Sequence, residues 1–153
     1  MYLYDELQKR VNRPVKVGLI GAGKFGSMFL SQVPTTKGLE VVAIADLDPD
    51  GAKRSCSTVG WSDHLIGKTH FFDSVRTMIE RVEIDVLVEA TGNPLAGVMH
   101  AKMAIDSRTH IVMVNVEADV LAGGILAQEA RNTGIVYSMA YGDQPALTIE
   151  MVE

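Results

Sequence analysis

A glycine-rich turn near the start of the chain constrains its fold more than any other feature. Residues 15–20 (VKVGLI) form an apolar run, and the sequence GAGKFG that follows places glycines at positions 21, 23 and 26. Asp46 closes a second apolar run twenty residues later. A buried strand, a G-x-G-x-x-G turn, a helix start and a spaced acid together predict a dinucleotide-binding site.

The three glycines have different expected roles in such a site. Gly21 permits the tight turn after the strand, Gly23 leaves room for a pyrophosphate against the backbone, and Gly26 lets the helix lie close to the sheet. The helix N-terminus then offers unpaired N–H groups to the phosphates. The predicted pyrophosphate-binding residues are Gly21, Ala22, Gly23, Lys24, Phe25 and Gly26.

The acid at the end of the second strand predicts where the adenine ribose binds. We expect Asp46 to accept hydrogen bonds from the ribose hydroxyls, with Leu47 beside it. Asp46 and Asp48 would repel a 2′-phosphate, which favours NAD. Lys53 and Arg54 follow in the next helix and would attract the same phosphate, so the cofactor is predicted as NADP or NAD with the choice open.

A second set of candidates lies in the later strands. The apolar run at 85–90 (DVLVEA) leads into Thr91-Gly92-Asn93-Pro94, and the run at 110–115 ends at Asn115. We expect the nicotinamide end of the cofactor to lie beside four of these residues, namely Ala90, Thr91, Gly92 and Asn115. Glu89 interrupts its apolar run, so it needs a partner either as part of the site rim or as a hydrogen-bonded structural acid.

The spacing of apolar residues predicts alternating strands and helices. The fold class is therefore α/β, a doubly wound parallel sheet of the Rossmann NAD(P)-binding type, with about six strands and helices on both faces. The strands are predicted at 15–20, 41–46, 70–72, 85–90, 110–115 and 135–140, and a loop at 60–67. The predicted domains are a helical lead-in at 1–14, a dinucleotide-binding domain at 15–143, and the start of a helix at 144–153 that leads to a catalytic domain outside this chain.

Composition excludes several other classes of protein. The net charge of −5 and the lack of a basic stripe argue against nucleic acid. No apolar segment approaches the length of a membrane span, and no signal peptide opens the chain, so we expect a cytoplasmic protein. The four histidines have no metal-ligand spacing, and Cys56 is the only cysteine, so no metal site is predicted.

Five segments resemble one group of known enzymes: VKVGLIGAGKFGSMFL, VVAIADLDPDGAKR, DVLVEATGNP, VMVNVEADVLAG and VYSMAYGDQPAL. They resemble the N-terminal domain of homoserine-dehydrogenase-like NAD(P)-dependent oxidoreductases, in the branch that carries a SAF domain and includes reductoisomerase-like enzymes. The resemblance implies cofactor binding in this chain. It also implies a homo-oligomer and hydride transfer to or from a small-molecule substrate in the full-length parent, with catalytic residues beyond Glu153.

The sequence departs from that pattern at one position and leaves other interpretations open. Homoserine dehydrogenases have an Asn-Lys pair after the fifth strand, where this chain has Asn115 and Val116. A sugar oxidoreductase of the glucose-fructose oxidoreductase type is an alternative, although such proteins have a Lys-Pro pair where Val116 and Glu117 stand. A non-catalytic NAD(P)-sensing domain and an S-adenosylmethionine methyltransferase are further alternatives, since both also use a glycine-rich loop.

Overall fold

The computed structural model describes residues 3–9 and 12–140, and these contain six strands and seven α-helices. The chain divides into two compact units, Met1–Val86 and Leu87–Glu153. Each unit consists of parallel strands that are connected by helices, as the alternating apolar pattern predicts.

The first unit contains three strands and the helices that connect them. Its elements are α1 (Leu3–Gln8), β1 (Val15–Ile20), α2 (Lys24–Gln32), β2 (Leu39–Ala45), α3 (Pro49–Thr58), α4 (Asp63–Lys68), β3 (His70–Phe72) and α5 (Val75–Arg81). The strands are parallel and lie in the order β3-β2-β1, with Val17 opposite Val41 and Ala45 opposite Phe72. The carboxyl ends of β1 and β2 therefore lie side by side, which brings the glycine turn next to Asp46.

The second unit begins within β4 and repeats this plan. Its elements are β4 (Val86–Glu89), α6 (Pro94–Asp106), β5 (His110–Met113), α7 (Val116–Thr133) and β6 (Tyr137–Met139). The strand order is β4-β5-β6, and β5 and β6 are parallel with Ile111 opposite Tyr137. Helices α6 and α7 pack against each other and against the strands of this unit.

These observations confirm the predicted fold class. The strand orders 3-2-1 and 4-5-6 are the two halves of the usual doubly wound nucleotide-binding arrangement. Every predicted strand has a counterpart, although β4, β5 and β6 are each shorter than predicted. The predicted helix start at 144–153 lies outside the described residues, and the division into domains stays a prediction. No helix in the described residues is long and apolar enough to cross a membrane.

The predicted loop at 60–67 is wrong, because this segment contains α4. Ser62 caps the helix by accepting a hydrogen bond from the Leu65 N–H at 3.2 Å. Trp61, just before the cap, is only 5% exposed, and its indole N–H donates to the Leu30 carbonyl at 2.7 Å. Two glycines suggested a loop, but the serine cap and the buried tryptophan together stabilise a short helix.

The buried face of α2 also differs from the prediction. The apolar spacing predicts that four side chains face the sheet: Phe25, Met28, Phe29 and Val33. In the structure Gly26, Leu30 and Val33 are buried, whereas Phe25 and Met28 are 39% and 53% exposed. The glycine motif correctly predicts that Gly26 lies against the sheet, whereas the apolar spacing does not select Leu30.

Two adjacent glycines in α7 provide a test of helix packing. Gly124 is exposed, and an added Cβ would meet nothing within 4 Å. A Cβ on Gly123 would lie 2.3 Å from Oδ1 of Asp119, the atom that accepts the Tyr137 hydroxyl at 2.8 Å. We expect Gly124→Ala to raise the free energy of unfolding by about 0.5–1 kcal/mol, and Gly123→Ala to lower it. Urea unfolding measures both; an equal response of the two variants would contradict this packing.

The buried thiol of Cys56 predicts a loss of stability at alkaline pH. Burial in α3 raises the pKa of this thiol from its ordinary value of 9.0 to about 11. Because the pKa is higher in the folded state, its contribution to stability is complete below pH 9 and is lost as the pH rises towards 11. Between pH 7 and 11, the free energy of unfolding measured in urea is therefore expected to fall more steeply for the wild type than for Cys56→Ala. The same dependence on pH in both proteins would contradict the burial of this thiol.

Candidate functional site

The turn after β1 brings two glycines into close contact. Gly21 has a φ of +91°, which favours glycine, and its N–H donates to the Ala45 carbonyl at 2.9 Å. A Cβ on Gly26 would lie 2.2 Å from the Gly21 carbonyl oxygen. A side chain is strained at Gly21 by the backbone φ and is blocked at Gly26 by the Gly21 carbonyl, so the backbone requires glycine at both of the predicted positions.

Gly23 differs, because nothing in the chain fills the space beside it. It caps α2, no side chain hydrogen-bonds to its cap, and an added Cβ would meet nothing within 4 Å. Lys24 and Phe25 follow in the first turn of α2, and both are exposed. The absence of a side chain here serves no packing purpose, and it leaves bare main chain at a helix N-terminus, where phosphate groups bind favourably.

Asp46 joins the end of β2 to this turn. Its Oδ2 accepts the Ala22 N–H at 2.8 Å, and its Oδ1 accepts the Asp48 N–H at 2.9 Å. The residue is half-buried. Each carboxylate oxygen has a second lone pair, so the group can accept ligand hydroxyls while it holds both backbone donors. This geometry orients the predicted ribose-binding acid beside the glycine turn.

The residues that follow Asp46 make this edge of the candidate site acidic. Leu47 is 97% exposed. Asp48 caps α3 by accepting the Gly51 N–H at 2.9 Å, and its other oxygen lies 3.1 Å from Nη2 of Arg54. Arg54 is therefore already paired with an acid, although both side chains are largely exposed and such a pair contributes little energy. Lys53 is exposed.

In the second unit, hydrogen bonds to side chains shape the turn at 90–93. Gly92 has a φ of +68°, and the turn ends where Asn93 caps α6 by accepting the Ala96 N–H at 3.0 Å. The Thr91 hydroxyl donates to Oε1 of Glu89 at 2.5 Å and accepts the Asn93 N–H at 3.3 Å. Ala90 is half-buried, and Thr91 and Gly92 are exposed, so this turn presents backbone to the surroundings.

Asn115, which follows β5 and caps α7, stabilises the same turn through hydrogen bonds. It is only 2% exposed, and its Oδ1 accepts the Ala118 N–H at the start of α7. Its Nδ2 donates to the Asn93 carbonyl at 2.8 Å and lies 3.5 Å from the Thr91 hydroxyl. These hydrogen bonds show that Asn115 positions the turn. The expectation that it also lies beside the cofactor stays a prediction.

Glu89 is completely buried at the end of β4. Its Oε1 accepts the Thr91 hydroxyl and lies 3.1 Å from Nδ1 of His100 on α6. In the described part of the chain, its Oε2 has no hydrogen-bond partner. The acid is thus hydrogen-bonded, as one of the two sequence interpretations requires, but only through one of its oxygens.

Sequence reasoning treated His100 as a residue without metal-ligand spacing and without a role at the site, so it missed the contact of this residue with Glu89. Gly97, Ala101, Ala104 and Ile105 are the buried positions of α6, and His100 lies one turn after Gly97 and one turn before Ala104. The imidazole therefore lies on the side of α6 that meets Glu89. Among the described residues, no group of three or more His, Cys, Asp or Glu side chains could hold a metal ion.

Together these features are typical of a dinucleotide-binding Rossmann fold, and the comparison with known families agrees. Residues 15–117 match the Gfo/Idh/MocA family, described as an oxidoreductase family with an NAD-binding Rossmann fold. The match covers more than half of the chain, so the chain belongs to this family. None of the curated proteins matches the sequence.

Solved structures of dehydrogenases share the fold. A dehydrogenase from Chromobacterium violaceum is 20% identical with a TM-score of 0.70, covering 91% of this chain and 40% of that chain. The WlbA dehydrogenase from Bordetella pertussis, in complex with NADH and UDP-GlcNAcA, is 18% identical with a TM-score of 0.70, covering 92% and 42%. The myo-inositol dehydrogenase from Lactobacillus casei, in complex with NAD(H) and myo-inositol, is 20% identical with a TM-score of 0.69, covering 91% and 41%.

At these identities the likeness shows the fold alone. The chain spans about two fifths of the length of these dehydrogenases. The family confirms the predictions of an oxidoreductase and of a nicotinamide dinucleotide cofactor. It does not support the homoserine-dehydrogenase-like and SAF-domain resemblance, and it favours the alternative of the glucose-fructose oxidoreductase type instead.

The open space beside Gly23 leads to a direct test of the pyrophosphate site. We expect Gly23→Ala to fold, because the new Cβ meets nothing in the chain, but to weaken NADH binding by about tenfold or more, ~1.4 kcal/mol, because the methyl group occupies space needed by phosphate. Gly67→Ala is the matched control, since Gly67 also has open space and lies in α4. Equal NADH affinity of both variants by calorimetry would rule out this site.

Proposed function

We propose that this chain is the cofactor-binding part of an NAD-dependent dehydrogenase that oxidises a hydroxyl group of a small polyol or sugar. The observation that carries the proposal is the hydrogen bond from the Ala22 N–H to Asp46, beside the unfilled space at Gly23. One carboxylate is thereby oriented to accept ribose hydroxyls next to a helix N-terminus that is free to accept phosphate.

The remaining site residues are assigned on the same basis. Residues 21–26 would hold the pyrophosphate, and Asp46 with Leu47 the adenine ribose. Ala90, Thr91 and Gly92 would lie along the nicotinamide end, with Asn115 fixing their conformation. Hydride transfer is the chemistry of the bound nicotinamide, and the protein supplies binding and orientation.

The substrate class is inferred from the family. The WlbA structure contains a nucleotide sugar, and the Lactobacillus casei structure contains myo-inositol. Both ligands carry secondary hydroxyl groups, and this supports a polyol or sugar over homoserine. Val116 and Glu117 stand where dehydrogenases of the glucose-fructose oxidoreductase type have a Lys-Pro pair, so we propose that the proton acceptor of the reaction is not a lysine at this position.

NAD is the proposed cofactor, because the adenine-ribose edge is acidic. Asp46 and Asp48 both lie there and would repel a 2′-phosphate, and Arg54 lies 3.1 Å from Asp48 in an exposed pair. We expect NADH to bind at least tenfold more tightly than NADPH, ~1.4 kcal/mol. Asp46→Asn is expected to weaken NADH binding and to reduce the difference in affinity between NADH and NADPH. The substitution removes the charge that accepts hydrogen bonds from the ribose and repels the 2′-phosphate.

Asp50→Asn is the matched control for that measurement. Asp50 is an exposed acid in the first turn of α3, so its substitution changes the net charge equally without altering the ribose-binding acid. Fluorescence titration of NADH and of NADPH against the wild type and both variants gives the six dissociation constants that this comparison needs. Tighter binding of NADPH to the wild type would overturn the choice of NAD. Thermal stabilisation by S-adenosylmethionine, with no response to NADH, would overturn the proposed function.

A further inference from the structure

We propose that the exposed face of α7 is an interface between two copies of this chain, packed as an antiparallel helix pair across a two-fold axis. The proposal is independent of the proposed function, because it depends only on the surface of the second unit. With 18 residues, α7 is the longest helix in the described part of the chain, so it can contact a partner helix over several turns.

The helices of the second unit leave large apolar side chains exposed to solvent. α6 and α7 pack against each other, so their outer side chains belong to one helical layer. Five of these side chains are between 59% and 82% exposed, namely Leu95, Met99, Val120, Leu121 and Ile125. Together they expose roughly 600 Å², which is at the upper end of the largest apolar patch on a typical soluble monomer. A patch of this size indicates an interaction surface.

On α7 the apolar side chains occupy the middle of the exposed face. Val120, Leu121 and Ile125 follow the spacing of one helical face, and Gly124 lies between them. The opposite face of the helix is already buried within the unit. This part of α7 is therefore apolar on two sides, as is typical of a helix that is covered on both.

Gly124 allows a second helix to approach closely at the centre of this face. The residue is exposed, and a Cβ added to it would meet nothing within 4 Å. Two copies of α7 that cross at Gly124 can therefore bring their backbones together, and the neighbouring side chains then pack into the partner helix. In an antiparallel crossing at this point, Leu121 of one copy lies beside Ile125 of the other, and the reverse contact forms on the other side of the axis.

The charges at the two ends of the face are complementary in this arrangement. Glu117 lies seven residues before Gly124, Arg131 lies seven residues after it, and both are exposed. A two-fold axis at Gly124 therefore places Glu117 of each copy opposite Arg131 of the other. The five ion pairs among the described residues involve neither side chain. A parallel pair would instead oppose like charges at both ends, and like charges across an interface are unfavourable.

The size and composition of the face agree with those of a protein interface. A standard interface buries about 800 Å² on each partner. The apolar side chains of α6 and α7 supply most of this area, and Glu117 and Arg131 extend the face at its ends. An apolar centre with a charged rim is the usual composition of such interfaces. Interfaces of this size have dissociation constants from micromolar to picomolar, so the dimer is expected to form at ordinary protein concentrations.

Analytical ultracentrifugation tests the central contact. At ~50 µM, above the micromolar limit for interfaces of this size, the wild type is expected to sediment as a dimer. Gly124→Glu brings two carboxylates together at the axis and is expected to weaken the dimer about a hundredfold, although the chain still has room for the side chain. Gly124→Ala keeps the crossing small and should retain the dimer. Gly67→Glu is the matched control, because it adds the same charge at an exposed, open position in α4.

Charge reversal tests the antiparallel arrangement. Glu117→Arg opposes two arginines at each end of the face, and Arg131→Glu opposes two glutamates. Each variant alone is therefore expected to dimerise about tenfold more weakly than the wild type. In a heterodimer of the two variants, every arginine again faces a glutamate, so an equal mixture should recover the affinity of the wild type. Mixing cannot repair a misfolded chain, so this recovery does not depend on the stability of either variant.

Each outcome decides for or against the proposed interface. A wild type that stays a monomer at ~50 µM overturns it, and leaves the face to a partner of another kind. A Gly124→Glu variant that dimerises like the wild type places the dimer contact on another surface and also overturns it. Two charge variants that gain nothing on mixing overturn the antiparallel packing. Loss of the dimer in Gly124→Glu, its retention in Gly67→Glu and its recovery on mixing together support the interface.

Discussion

The contact between Gly26 and the Gly21 carbonyl is the constraint on which the first unit depends. With an added Cβ only 2.2 Å from that oxygen, any other residue would push α2 away from β1. The close approach places the N-terminus of α2 directly after the strand, and the parallel pairing with β2 brings Asp46 alongside. A backbone contact that excludes side chains thus fixes the distance between a helix terminus and a carboxylate, the two groups that a dinucleotide needs.

The sequence was sufficient to predict this part of the molecule because its signals are local. The glycine spacing, the apolar strands and the strand-end acid occur within about thirty residues, and their combination favours a dinucleotide-binding site. The side chains that pack against the sheet were harder to predict from the sequence. The glycine motif correctly placed Gly26 against the sheet, but the apolar spacing selected Phe25 and Met28, which are exposed, and missed Leu30. The short helix α4 was missed because its serine cap outweighed two glycines that suggest a loop.

The hydrogen bonds of the second unit could not be predicted from spacing. Glu89 was recognised as an acid that needs a partner, but His100 lies eleven residues further along the chain, and the sequence does not say which side of α6 meets the strand. The expectation that Asn115 lies beside the cofactor stays a prediction, but its hydrogen bonds to the N-terminus of α7 and to Asn93 were not predicted. In both cases the residue type and the region were informative. The partner was decided by tertiary packing, which brings together groups far apart in the chain.

The two units place an acid at the end of a strand, but exposure gives the two acids different roles. Asp46 is half-buried and accepts backbone N–H groups at each oxygen, so its remaining lone pairs are within reach of a ligand. Glu89 is fully buried and accepts the hydroxyl of Thr91, so a ligand meets the threonine and its turn rather than the acid. Burial also makes the charge of Glu89 costly unless it is balanced, and a surface acid has no such requirement. The same residue class is therefore accessible to a ligand in one unit and positions a turn in the other, and the difference lies in solvent access rather than in the sequence motif.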